Sequence, residues 1–197
     1  MKRGFFSENY SKCWKFGREC KWFFVFAFGL FCLTFLIGFA FPIFFREEIF
    51  MMLMELILGL EGLTTWELIG FIFLNNLQAS FLAIVLGIFL GIFPVMAVVV
   101  NGYLLGFVSR EAVMVDGIFA MWKILPHGIF ELPAVLFSMG IGIKIGLSVV
   151  GRVRESAGKD RGVGYNFREG LRFFVFVVFP LLVVAGIIEG ILIGLGS

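Results

Sequence analysis

Charge is scarce in this chain. Asp, Glu, Lys and Arg make up only 15% of its 197 residues, against about 25% in soluble domains. The net charge is +2, which gives no sign of a nucleic-acid partner. There are only three cysteines, Cys13, Cys20 and Cys32. They have no metal-type spacing and are too few for a disulfide framework, and Cys32 reads as a small core residue in an apolar run. Histidine occurs once, at 127. No GxSxG, HExxH or P-loop pattern occurs. Ser80, Ser109, Ser138 and Ser148 lack an evident base partner.

Apolar residues are what the chain has in excess. They reach 60%, with 28 phenylalanines and a mean hydropathy of +1.04. No water-soluble core of this size hides so many apolar side chains, so the excess must face lipid. The first apolar run starts near Trp22 and is too long for the core of a cleavable signal peptide.

A hydrocarbon layer needs about 20 residues of helix. Five runs meet that need or approach it: 22–45, 68–92, 94–109, 124–150 and 173–195. Pro94 suits the first turn of a new helix, so the second and third spans are expected to be tightly joined. The spacing also predicts two amphipathic interfacial helices, one within 1–21 and one at 46–60. The second would lie on lipid or form a dimer contact. The polar stretch 151–172 reads as a cytoplasmic loop. The expected fold is therefore an all-α, polytopic helical membrane protein, a single membrane domain over 1–197.

Charge placement gives the orientation. Lys2, Arg3, Lys12, Lys15, Arg18 and Lys21 precede the first span. Arg152, Arg154, Lys159, Arg161, Arg168 and Arg172 lie between the fourth and fifth. Five spans put both groups on one side, which the positive-inside rule makes cytoplasmic. The N-terminus is expected inside and the C-terminus outside.

Polar groups at membrane depth are costly and face the bundle interior or a cavity. Here they are Asn75, Asn76, Gln78, Asn101, His127, Glu131, Lys144 and Glu189. Lys144 can snorkel to the cytoplasmic surface. With a rise of about 1.5 Å per residue, Asn75 and Asn76, Asn101, the His127–Glu131 pair and Glu189 all fall in the outer half of the layer. Four helices thus supply one expected polar cluster. His127 and Glu131 stand one turn apart on one face. Pro126 fits a helix start and Pro133 weakens a backbone bond, so the motif reads as a helix start or a break in a longer helix. Gly128 opens space for a neighbour. "GIGIKIG" at 140–146, with Gly87 and Gly91, offers small faces for close helix packing.

Three uses of the cluster stay open. It is a hydrogen-bonded brace between helices. Or His127, Glu131 and Glu189 hold a divalent metal such as zinc in an intramembrane hydrolase. Or the carboxylates carry a small solute or ion. No inverted repeat supports the last.

Three segments resemble the stage II sporulation protein M family: "LNNLQASFLAIVLGIFLGIFPVMAVVVNGYLLG" (74–106), "LPHGIFELPAVLFSMGIG" (125–142) and "IIEG" (187–190). The resemblance covers roughly 68–195, and the PHG…E…PA core is its most specific element. It implies a multipass protein of the cell membrane. In spore formers the named member is expected to anchor partners that remodel septal peptidoglycan during engulfment. In other organisms the role is unassigned. By position, the motif residues carried over are Asn75, Asn101, Gly102, Pro126, His127, Gly128, Glu131 and Glu189. The expected function is a membrane scaffold or assembly protein, homo-oligomeric (a dimer), with cell-envelope protein partners.

Overall fold

The computed structural model describes residues 4–153 and 162–196. Within them the side chains of Ile57, Ala120, 122–127, Ile129, Phe130, 152–153, 189–190 and 192–196 are not described. The described residues form helices and no strands: α1 Phe5–Ala40, α2 Arg46–Leu60, α3 Thr65–Val85, α4 Ile92–Asp116, α5 Ala120–Val153, α6 Gly162–Phe173 and α7 Phe179–Gly196. Five stretches are long and apolar enough to cross a membrane: Phe5–Ala40, Thr65–Ile88, Ile92–Asp116, Glu131–Gly151 and Gly162–Ile188.

The expected break between an interfacial helix and the first span, at residue 21, does not occur. α1 runs unbroken for 36 residues, about 54 Å. Its buried residues explain why. Cys13, Cys20, Ala27 and Thr34 are buried at intervals of seven, so one seam of small side chains continues through both parts. Cys13 and Cys20 are the buried cysteines, while Cys32 is only half-buried off the seam. The helix ends at Ala40 rather than at 45, because Pro42 disfavours helical backbone at Phe41. The guanidinium of Arg110 on α4 donates to the terminal carbonyls of Phe39 (3.3 Å) and Ala40 (3.1 Å). That is the position where a cation suits a helix C-terminus.

α1 packs mainly on α4. Gly102 and Gly106, one turn apart on α4, sit against α1 at Phe31, Thr34 and Phe35, and Gly38 sits against Tyr103. A Cβ on Gly102 would lie 2.7 Å from the carbonyl oxygen of Phe31. This GxxxG face lets the two backbones touch. A second glycine seam joins α5 to the α3–α4 turn. A Cβ on Gly87 would meet Gly142 Cα at 2.7 Å, and Gly146 lies directly against Gly91. The "GIGIKIG" stretch thus packs as expected. Gly91 also closes the tight α3–α4 turn with φ 74°, a backbone state that glycine enters without steric cost. Pro94 follows in the first turn of α4. α3 begins with a capping box between Thr64 and Glu67.

The polar stretch 151–172 is not a loop throughout. α6 is helical from Gly162, and Asn166, Glu169, Gly170 and Phe173 line its buried face. Their helical spacing is an amphipathic signal hidden by the glycines and charges around it. Residues 154–161, with Arg154, Lys159 and Arg161, lie outside the described residues. α6 leads through a π-helical turn, Phe174–Val178, into α7. Pro180 cannot donate to Phe176 and would crowd its carbonyl, and the wider turn relieves this.

At one end of the bundle the start of α1, the end of α5 and α6 form an apolar cluster of Cys13, Phe16, Cys20, Ile145 and Phe173. Lys144 does not simply snorkel there. Its side chain is 11% exposed and lies 3.8 Å from Glu19, with its ammonium 4.6 Å from the Phe16 ring centroid. Lys144→Met should lower stability by about 1 kcal/mol, read as a fall of about 2–4 °C in the melting temperature of the purified protein.

Candidate functional site

α3 and α4 leave their shared turn in different company. α3 packs on α5 and α7, α4 on α1 and α5, and they touch each other little. Between α1, α3, α4 and α5 lies a cavity of about 410 Å³. Its walls are mostly apolar, including Phe31, Leu105, Val135 and Met139, and its polar lining is Asn76, Asn101, Ser109 and Glu131.

Glu131 is 4% exposed. Asn76 Nδ2 donates to its Oε2 at 2.7 Å, tying α3 to α5. A buried carboxylate is tolerable only when its oxygens are satisfied. Asn101 donates from Nδ2 to Ala97 O one turn back on its own helix (2.8 Å), so Oδ1 remains as an acceptor. Ser109 is fully buried, and its hydroxyl has no hydrogen-bond partner among the described residues. Gly128 lines the cavity; a Cβ there would meet only the Leu132 side chain, at 3.2 Å.

Of the expected cluster, Asn76 and Glu131 are hydrogen-bonded, while Asn101 lines the same cavity but is exposed and bonded to its own helix. Asn75 is exposed, because the helical step of about 100° per residue turns it away from its neighbour. Gln78 is exposed as well. His127 stands one turn before Glu131 on α5, and Glu189 one turn beyond the buried Ala185 on α7; their side chains lie outside those described. Among the described residues no three His, Cys, Asp or Glu side chains group as a metal site. Gly102 serves the α1–α4 crossing, not the cavity. The helix neither starts at Pro126 nor breaks at Pro133, for α5 is continuous across both. A proline in the second turn and one flanked by packed helices leave few carbonyls unserved, and neighbours make that loss tolerable. Pro133 lines a second cavity of about 410 Å³, on the side of α5 facing Phe24 and Phe28.

Sequence reasoning treats Ser109 only as a nucleophile without a base. Its place one helical turn beyond the Gly102/Gly106 face is the signal for burial. Glu169 carries no such signal on its own. It is buried on α6 and pairs with Arg172 and, at 3.3 Å, with Arg168.

Among the described residues, five helices long and apolar enough to cross a membrane define a multipass α-helical membrane protein. The profile of the family described as stage II sporulation protein M matches residues 27–192, and the chain belongs to that family. It is also 32% identical over 117 residues to an uncharacterized protein of Methanocaldococcus jannaschii, covering 59% of this chain and 51% of that one. The chain thus spans about half the length of this curated relative. No solved structure matches the chain.

Proposed function

We propose that the chain is a membrane scaffold that holds a rigid core and presents α2 as an assembly surface, pairing with a second copy of itself. The observation that carries this reading is α2. Its predicted bounds, 46–60, agree with Arg46–Leu60, yet it stays outside the bundle. Ile49 is its one buried residue among those described, while Phe50, Met51, Met52, Met54, Leu56 and Leu58 are exposed. These residues lie all round the helix, so α2 has apolar surface left for a second copy beside the lipid.

The interior favours support over conduction. Between Glu131 and Glu169 the large, fully buried side chains include Ile84, Met139, Ile141 and Ile145. Ser138 and Ser148 bond back to their own helix, at Ala134 O and Ile145 O. Asn76–Glu131 then acts as a brace, and the basic end of α1 and α6 faces the cytoplasm by the positive-inside rule.

A photoreactive residue at Met52 or Leu56 tests the assembly surface in native membranes. The expected product is a discrete adduct of twice the chain mass, absent when the probe sits at Phe28, which is 60% exposed on α1. Lipid adducts alone at all three positions would remove α2 from this role.

A further inference from the structure

A third groove, at the basic end of the bundle, combines an apolar slot with unpaired cations at its mouth. We infer that it seats one anionic phospholipid, a tail between α1, α4 and α5 and the phosphate on Arg18 and Lys21. This uses neither α2 nor the Asn76–Glu131 bond, so it stands apart from the scaffold reading.

The groove has a volume of about 430 Å³, within the roughly 300–1,000 Å³ of small-molecule sites. Trp22 and Phe26 of α1 line it, with Leu90 and Val95 around the α3–α4 turn and Ile143 and Leu147 of α5. All of its lining residues are apolar. Such a slot accepts a hydrocarbon chain and rejects a charge.

Its depth follows from α1. The charge-free part of that helix, 22–40, is about 28 Å long. That matches a hydrocarbon layer about 30 Å thick. The boundary therefore falls at Lys21–Trp22, and Trp22 takes the interfacial place that tryptophan favours. Phe26 lies about 6 Å inside this boundary and Arg18 about 6 Å outside it. The headgroup zone is roughly 5–8 Å deep. The slot is thus at tail depth, and Arg18 and Lys21 are at headgroup depth in the same leaflet. One phospholipid spans both zones.

The cations stand at the mouth of the slot. Arg18 precedes Trp22 by one turn and shares its face. Lys21 Nζ lies 5.2 Å from the Trp22 ring centroid, which puts the ammonium beside the rim. Glu19, the nearby acid, lies 3.8 Å from Lys144. Among the described residues neither Arg18 nor Lys21 has an ion-pair partner. An anionic head supplies one, with charge-assisted hydrogen bonds to its phosphate oxygens. A zwitterionic head brings its own cation and gains less.

The test is quenching of Trp22 fluorescence by brominated lipids. It uses the full-length chain carrying Trp14→Phe, Trp66→Phe and Trp122→Phe, in phosphatidylcholine nanodiscs. Brominated phosphatidylglycerol is expected to quench Trp22 at about one-fifth of the mole fraction that brominated phosphatidylcholine needs. Arg18→Gln with Lys21→Gln, both at exposed positions, should erase this preference while the melting temperature holds. Val95→Phe, which fills the slot, should erase it with both charges kept. Should Val95→Phe fail to fold, competition takes its place. Unbrominated phosphatidylglycerol should relieve the quenching, and glycerol phosphate, a head without a tail, should not. Equal quenching by the two brominated lipids would overturn the proposal. So would a preference that survives in either folded variant or yields to glycerol phosphate. Quenching by neither lipid would give the groove to another occupant, such as a second copy, and overturn it as well.

Discussion

Gly102→Val and Gly106→Val are expected to remove the folded protein almost completely. α1 and α4 meet backbone to backbone at these positions, and even a methyl group on Gly106 would reach the carbonyl carbon of Phe35 at 2.9 Å. Valine adds two more carbons where nothing can yield except the helices themselves. Overpacking of a core commonly costs about 1–3 kcal/mol when side chains can move. Here the obstacle is main chain, so each substitution should cost at least about 3 kcal/mol. The check is monodisperse yield and melting temperature in detergent. Gly29→Ala is the control on the same helix pair, since nothing lies within 4 Å of its Cβ position. Exchanging an unobstructed helical glycine for alanine should stabilise, by up to about 1 kcal/mol. Equal behaviour of Gly29→Ala and Gly106→Val would show that the crossing is looser than described.

Asn76→Leu is the second large effect. It takes away the amide that donates to Glu131 and leaves a 4% exposed carboxylate without that donor. Hydrogen bonds to charged groups contribute about 1.5–3 kcal/mol, so a loss of about 2 kcal/mol is expected, read as a fall in melting temperature. Glu131→Leu in the same background should restore part of it, because it removes the buried charge itself. Non-additivity of this kind marks a direct contact.

The five spans are legible because their apolar excess is extreme and their boundaries are set by local chemistry. Pro94 and Gly91 mark the α3–α4 turn, and the glycines at 140–146 announce close packing. The α1 junction is not legible from composition: residues 5–21 are polar on average, and only the seven-residue interval from Cys13 to Thr34 reveals a continuous seam. α6 is hidden in the same way by glycine and arginine. For the cavity, helix rise gives the depth of Asn76, Asn101 and Glu131. Rotation decides membership. Asn75 and Asn76 share a depth, and the packing of α3 on α5 turns only Asn76 inward. Ser109 escapes notice because a serine in an apolar helix ordinarily bonds back to its own backbone, as Ser138 and Ser148 do. Pro42 marks the end of α1 locally, but the cap that Arg110 gives its last carbonyls follows from a helix crossing that no local pattern encodes.

The scaffold proposal has Asn76 and Glu131 hold helices together and not a metal ion. The most direct measurement is the Asn76–Glu131 coupling energy, from a double-mutant cycle of thermal unfolding on chelator-treated protein. A brace predicts a coupling of about 2 kcal/mol, unchanged when zinc is returned. A coupling near zero in chelator that appears only on adding the metal would contradict the account.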